Sequence, residues 1–419
     1  MRVFLVDGET LLENRRRLQE GGSACSALEA PLAALLKDAD AKLSAGPFSV
    51  TAKAHVPPSG DKRDYCSQGR YWWPDPAKPD GLPYIRRDGQ PNPDRAKMED
   101  AGRRNSMQKA VVTLSHAWFF TQREEYAARA AKLLRVWFLN PEKRMNPHLR
   151  YAQGIPGQCE GRGIGIVDFA NLVELVDAVG LLSGASAWTA EDQEGLVQWF
   201  TEFLQWLQTS KHGHEADHMK NNHATQYDAQ LISYALFVDK PEIARQVAEA
   251  GKRRIETQIR ADGTQPQELS RATSWDYCCE NLRNFGRLAR LASHVDVDLW
   301  AWTSKGRSIP RAVDYLLPFA AGEVWPHKQS HDFQAWRLKP VLLLAPQHLG
   351  YGAVGLRMLP KSSAERLLCR GKPSPDPEPL EPVAPVEPVV DPEEPVEPEE
   401  PLDPEEPLAS AAEEENGPD

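Results

Sequence analysis

Asn105-Ser106-Met107-Gln108-Lys109-Ala110-Val111-Val112-Thr113-Leu114-Ser115-His116-Ala117-Trp118-Phe119-Phe120-Thr121 is followed closely by Glu124-Glu125-Tyr126-Ala127-Ala128-Arg129-Ala130-Ala131-Lys132-Leu133-Leu134-Arg135-Val136-Trp137-Phe138-Leu139. In the first stretch Met107, Val111, Leu114, Ala117 and Trp118 recur every three or four residues. Ala127, Ala130, Ala131, Leu134 and Phe138 do the same in the second. That spacing puts each apolar set on one face of a helix, so the pair reads as a helical hairpin.

The pattern spreads outward from there. Similar stretches cover Ile166 to Leu182, Thr189 to Thr209, Asn222 to Val238, Pro241 to Ile259, Tyr277 to Ser293 and Ser308 to Ala320, joined by short connections rich in Gly, Pro, Asp and Ser. Thr189 ahead of Glu191-Asp192 suits a helix N-terminus, and Pro241 suits a first turn. No convincing run of alternating strands appears. Repeated hairpins without a repeat consensus point to an all-α fold of the α/α toroid kind, inner helices lining a cleft and outer helices covering them. A plain helical bundle is the alternative.

The last part of the chain has a different composition. Residues 373–419 hold 17 of the 60 acidic residues, 14 of the 35 prolines, and no Lys or Arg. Such a segment buries too little apolar surface to offset the entropy of ordering, and it reads as a disordered, self-repelling acidic tail. The expected organisation is one domain over 1–372 and a tail over 373–419, whose partner the sequence leaves unknown. Without the tail, 43 acids face 49 bases, so the net charge of −11 conceals a domain of +6 that suits an anionic ligand.

Met1 to Glu9 has too short an apolar run for a signal peptide, and no stretch approaches a membrane span. The expectation is a soluble protein whose compartment stays unknown, secreted or periplasmic work being compatible with a polymer substrate. The six cysteines lack the spacing of a disulfide framework or a zinc site. His212-Gly213-His214-Glu215-Ala216-Asp217-His218 gathers imidazoles and acids, but in no standard zinc pattern, and reads as a solvated polar turn in a loop. No metal or organic cofactor is expected.

Two irregular segments break the helical rhythm. Tyr65-Cys66-Ser67-Gln68-Gly69-Arg70-Tyr71-Trp72-Trp73-Pro74-Asp75-Pro76 runs on to Arg86-Arg87-Asp88-Gly89, a long loop loaded with aromatics and bases. Aromatic faces stack on sugar rings while Arg and Gln take hydroxyls and carboxylates, so Tyr71, Trp72, Trp73 and Arg86 are candidate substrate contacts. An aromatic plug and a surface ion pair at Asp88 are the alternatives. Gln153-Gly154-Ile155-Pro156-Gly157 leads to Gly161-Arg162-Gly163-Ile164-Gly165, where Gln153 and Arg162 are candidates and the glycines either present N–H groups to an anion or allow tight packing. No strand precedes it and no Gly-Lys-Ser/Thr follows, so it is no nucleotide loop, and no nucleic-acid partner is expected.

Asn221-Asn222-His223 and Arg271-Ala272-Thr273-Ser274-Trp275-Asp276-Tyr277 supply amides, an imidazole, a guanidinium and a phenol. These are the groups needed to remove a weakly acidic proton beside a carboxylate. Taken singly, His223 could be a satisfied helix-terminal histidine and Tyr277 a core tyrosine.

Together, Tyr71-Trp72-Trp73-Pro74-Asp75-Pro76, Lys78-Pro79-Asp80-Gly81-Leu82-Pro83-Tyr84-Ile85-Arg86-Arg87-Asp88-Gly89, Gln153 to Gly157, Gly161 to Ile166 and Asn221-Asn222-His223 resemble the alginate-lyase-domain proteins, especially lyases of mannuronate and glucuronate polymers. The resemblance covers roughly residues 3 to 330. It implies an incomplete α/α toroid of six or seven helical hairpins and β-elimination on a 4-linked uronic acid polymer. By it Asn222 and His223 match the family's Asn-His pair, and Arg271 and Tyr277 its arginine and catalytic tyrosine, with Asn221 beside them. Ala224 stands where members commonly have Gly, and another base often lies near Thr273, which leaves substrate preference open.

The chemistry can be stated independently. Asn222, with Arg271 or a neighbouring donor, would stabilise the enolate that forms when the uronate's C5 proton leaves. In mannuronate and glucuronate that proton and the C4 oxygen lie on one side of the ring, so Tyr277 could serve as base and then acid, its pKa lowered by His223 and Arg271. For guluronate His223 would be the base and Tyr277 the acid. Two other classes compete: an inverting glycoside hydrolase using a pair among Asp168, Glu174, Glu268 and Asp276, and a non-catalytic glycan-binding protein.

Overall fold

In a computed structural model, residues 1–22 and 25–369 are described; the acidic tail expected at 373–419 lies outside them. The helices are α1 (Gly8–Glu20), α2 (Ser26–Lys42), α3 (Asp100–Thr121), α4 (Glu124–Leu134), α5 (Leu172–Leu181), α6 (Ala190–Thr209) and α7 (Lys211–His218). They continue with α8 (Asn222–Phe237), α9 (Pro241–Gln258), α10 (Pro266–Leu269), α11 (Ser274–Ala292), α12 (Ile309–Ala320), α13 (Lys339–Leu344) and α14 (Tyr351–Arg357).

Neighbours in space run α2, α3, α5, α8, α11, α13, and this succession forms the inner wall. Outside it, α4 packs on α3, α6 and α9 on α8, α12 on α11, and α14 on α13. The fold is all-α, an incomplete α/α toroid. Burial explains the two layers: every residue of α8 except His223 is buried, whereas α9 buries only Ala244, Ala248, Gly251, Ile255 and Gln258 along one stripe. The core is rich in aromatics, with Phe138, Trp199, Phe200, Phe203 and Tyr234 in mutual ring contact between α6 and its neighbours.

Local signals set the helix ends. Thr189 and Asp192 form a reciprocal capping box at the start of α6, Pro241 occupies the first turn of α9, and Asn221 caps α8 by accepting the His223 N–H. The polar turn expected at 212–218 is instead the helix α7. Its sequence lacks an apolar period, but Ser210 caps it through the Gly213 N–H at 3.0 Å, and tertiary packing against residues 163–169 supports it.

Among the described residues, four short strands are present where no alternating pattern announced any. β1 (Cys66–Gln68) pairs in parallel with β4 (Tyr151–Gly154), and β2 (Trp72–Trp73) pairs antiparallel with β3 (Ile85–Arg86). Strands of two to four residues are too short to show a period, and long-range pairing alone creates them. The β1–β4 sheet joins the root of the aromatic loop to the glycine-rich segment, and the β2–β3 sheet folds the loop back on itself. The glycines there serve close packing, since a Cβ on Gly161 would meet the Arg150 carbonyl oxygen at 2.1 Å and one on Gly165 the Ala152 oxygen at 2.5 Å.

A buried ion pair anchors the start of the aromatic loop. Lys53 and Asp100, both without exposed side-chain surface, lie 2.6 Å apart. Asp100 also accepts the Cys66 N–H, and Lys53 also donates to the Asp64 carbonyl, so one pair ties three chain segments together. Among the described residues no helix is long and apolar enough to cross a membrane.

Candidate active site

Three segments meet at one end of the inner wall: the N-terminus of α8, the turn from α10 into α11, and the aromatic loop. Tyr277, in the first turn of α11, has its hydroxyl 2.9 Å from an Arg271 guanidinium nitrogen and 2.8 Å from the Tyr71 hydroxyl. The Arg271 guanidinium carbon also lies 3.8 Å from the Tyr277 ring centroid. A cation thus faces both the ring and the oxygen of this phenol.

The pKa of Tyr277 departs from the sequence expectation. Burial raises it above its ordinary value near 10; Arg271 works in the opposite direction, and the Tyr71 hydroxyl and Asp88 add to the rise. The expected lowering by His223 and Arg271 does not occur in the free protein, because desolvation of a phenolate outweighs one guanidinium. His223 carries no charge to contribute. Burial and the positive charges of Arg271, Arg162 and Arg86 push it down to about 3.

His223 Nδ1 is buried without a hydrogen-bond partner. An orphaned N–H is costlier than an orphaned lone pair, so the proton belongs on Nε2 and the ring can offer a donor from that edge. The three arginines whose charges reach His223 show that α8, the aromatic loop and the glycine-rich segment share one electrostatic environment.

Asn222 is 3% exposed, and its amide is engaged: the backbone N–H donates to Glu268 Oε1 at 2.7 Å and Nδ2 to Glu268 Oε2 at 2.9 Å. Asn221 is the helix cap. Gln153, at a left-handed φ of 51°, donates its side-chain N–H to Asp168 at 2.9 Å and accepts from Arg162 on both its backbone and side-chain oxygens, which holds that arginine in place. The Arg162 guanidinium stacks 5.6 Å from the Trp72 ring, while Arg87 lies over Trp73, whose Nε1 donates to the Gln90 carbonyl. Tyr71, Trp72 and Trp73 are each half-buried, neither a plug nor free, and Arg86 is exposed.

Asp88 plays a part that its neighbours in sequence conceal. It bonds Arg271 at 2.7 Å and accepts the Ala272 N–H at 3.1 Å, with Arg86 more distant at 3.3 Å. Burial pushes its carboxyl up, and the Arg271 hydrogen bond and charge, the Ala272 N–H and Arg86 more than offset this, leaving it at about 2. A surface pair within Arg86-Arg87-Asp88 is the alternative the sequence offered, and it is present between Arg86 and Asp88; the closer partner is 183 residues away. Residues 328–331 complete this wall, with the Ser274 N–H on the Lys328 carbonyl, the Ser330 N–H on the Ala272 carbonyl, and His331 Nε2 against the Gly89 carbonyl.

The four carboxylates named for a hydrolase are each engaged by protein groups. Asp168 takes Tyr65, Ser67 and Gln153; Glu174 pairs with Arg287; Glu268 holds Asn222; Asp276 pairs with Arg337 and Gln329. Nor does the His212–His218 cluster gather into a site. Glu215 accepts the Gly163 N–H, His218 Nδ1 bonds the His214 carbonyl, and among the described residues no group of three or more His, Cys, Asp or Glu could hold a metal ion.

Comparison with known proteins identifies the fold and the family. No curated protein matches the chain. An alginate lyase from Bacteroides ovatus, known from its crystal structure, is 37% identical with a TM-score of 0.83, and the match covers 88% of this chain and 98% of that one. A variant of alginate lyase A1-III, the Sphingomonas species A1 protein, crystallised with a tetrasaccharide, has the same fold at 17% identity and a TM-score of 0.55, over 88% of this chain and 96% of its own. The alginate lyase family model matches residues 49–325. The chain therefore belongs to the alginate lyase family, and the protein is a polysaccharide lyase on an incomplete α/α toroid.

Proposed function

We propose that the protein cleaves 4-linked mannuronate or glucuronate polymers by β-elimination, with Tyr277 as both base and acid. The observation that carries this reading is the Tyr277 hydroxyl bonded at once to Arg271 and Tyr71, with no carboxylate or imidazole bonded to it among the described residues. A base that hands its proton back to the leaving oxygen serves substrates whose C5 proton and C4 oxygen share one face. Guluronate, which presents them on opposite faces, needs a second residue, and a histidine held at about 3 and protonated on Nε2 is a donor rather than a base.

The uronate carboxylate is taken by the second N–H of the Asn222 amide, by His223 Nε2–H and by the arginines, which stabilise charge as the C5 proton moves to the Tyr277 phenolate. The C5–H electron pair forms the C4=C5 double bond, the C4–O bond breaks, and the proton returns from Tyr277 to the departing oxygen. The products are an unsaturated uronate end and a new chain end. Trp72 with Arg162, and Trp73 with Arg87, provide faces for neighbouring sugar rings. The net charge of +6 over residues 1–372 favours a polyanion. We read those residues as one catalytic domain.

The test is ultraviolet absorbance over time on polymannuronate, polyguluronate and glucuronan offered separately, with wild type and Tyr277→Phe. A rise on polymannuronate or glucuronan that disappears in the variant supports the proposal. Cleavage of polyguluronate alone, or by the variant at the wild-type rate, would end it.

A further inference from the structure

We infer that Glu268 is the positioning residue that sets the orientation of the Asn222 amide, an inference that rests on the role given to Asn222 above. Glu268 is 1% exposed, and each of its carboxylate oxygens accepts one N–H of Asn222, from the backbone at 2.7 Å and from Nδ2 at 2.9 Å. A side-chain amide has two N–H groups and one carbonyl. With one N–H held by Glu268, the other N–H is left for a substrate carboxylate.

The charge on Glu268 is what makes the choice one-sided. If the Asn222 amide rotated by half a turn, its carbonyl oxygen would oppose a carboxylate in surroundings of low dielectric, where like partial charges repel strongly. A glutamine at the same position would allow both orientations, because its own amide can donate to the rotated carbonyl. Burying a carboxylate is costly, and a neutral residue would be cheaper at this place. Only the carboxylate accepts on both atoms.

The support beneath Glu268 is equally specific. Its backbone N–H bonds the Gln265 carbonyl at 3.0 Å, and the Gln265 side chain is held by Asn281 Nδ2 at 2.9 Å and by the Cys278 carbonyl at 3.3 Å, both on the helix that carries Tyr277. The Arg271 N–H in turn bonds the Glu268 carbonyl at 3.2 Å. From the other side Gln258 donates to the Asn221 carbonyl at 3.2 Å and accepts from Thr225 at 2.9 Å and Asn281 at 3.0 Å. One short turn thereby places the Asn222 amide, the Arg271 backbone and the start of α11 relative to one another.

The experiment is a double-mutant cycle on the full chain with Glu268→Gln, Asn222→Ala and both together, measured on whichever polymer the wild type cleaves. A positioning role predicts that E268Q lowers kcat about tenfold to a hundredfold, the range of one hydrogen bond to a charged group, with KM moving by less than about threefold. It also predicts that the double variant is no slower than N222A alone. E268Q at the wild-type rate, or a loss that multiplies onto that of N222A, overturns the inference. N222A at the wild-type rate would instead remove the role of Asn222 on which it rests.

Folding of each variant is followed by thermal melting, and a wild-type measurement stands beside them should E268Q unfold. With 15N-labelled asparagine, one side-chain proton of Asn222, assigned by its absence in N222A, should be shifted downfield and protected from exchange. Two equally exchanging protons would overturn the inference without any variant at Glu268.

Discussion

The Asp88 carboxylate of the aromatic loop lies 2.7 Å from the Arg271 guanidinium, which in turn bonds the Tyr277 hydroxyl at 2.9 Å. The loop proposed to offer aromatic faces to sugars is therefore held by the side chain that attends the proposed base. Asp88→Asn keeps the size and removes the charge. It should lower kcat/KM by about tenfold to a hundredfold through a misplaced Arg271 while the fold persists, as initial rates and circular dichroism would report.

A phenol raised by burial is protonated at neutral pH, and its active form as a base is the deprotonated one. The rate should therefore climb from neutral into alkaline pH. Tyr71 contributes to the rise, so Tyr71→Phe should lower the pKa of Tyr277 and move the climbing limb of the pH–rate profile to lower pH. A profile that stays in place would show that Tyr71 does not act on the Tyr277 proton.

His223 titrates at about 3 in the folded protein and near 6.5 when unfolded. The unfolded chain binds the proton more readily between those values, so the contribution of His223 to stability is complete above pH 6.5 and is lost as pH falls below it. At pH 5.5 the loss amounts to about 1 kcal/mol. Denaturant unfolding of wild type and His223→Gln across pH 5 to 7 should show this slope in the wild type and its reduction in the variant.

Lys53 and Asp100 form an ion pair with no exposed side-chain surface. Burial raises the Asp100 carboxyl to about 6 even with Lys53 beside it. Lys53→Met leaves that carboxylate unpaired and should cost about 3 to 5 kcal/mol, seen as a melting temperature lower by on the order of 10 °C. Because the pair also ties down Asp64 and Cys66 at the root of the aromatic loop, activity should fall with it.

Much of this was legible in the chain itself. Apolar residues at helical spacing located α3 through α6, α8, α9, α11 and α12, since a helix that buries one face must repeat with its own turn; Thr189 and Pro241 marked their starts correctly. The motif residues named Asn222, His223, Arg271 and Tyr277, and the structure brings Arg271, Tyr277 and Tyr71 into hydrogen-bond contact. The helix α7 escaped notice because a cap and tertiary packing, with no apolar period, support it.

What only the tertiary structure decided was pairing and burial. Asp88 sat next to two arginines in the chain and bonds most closely to a third, and Glu268 looked like a hydrolytic acid until it met Asn222. The same holds for the protonation of the site: the sequence suggested a phenol made acidic by a charged neighbour, whereas the fold removes water from Tyr277 and charge from His223. Periodicity is written along one strand of covalent bonds, so one sequence displays it. Desolvation and hydrogen-bond partnership depend on atoms that are distant in the chain and adjacent in space, and they exist only once the helices have packed.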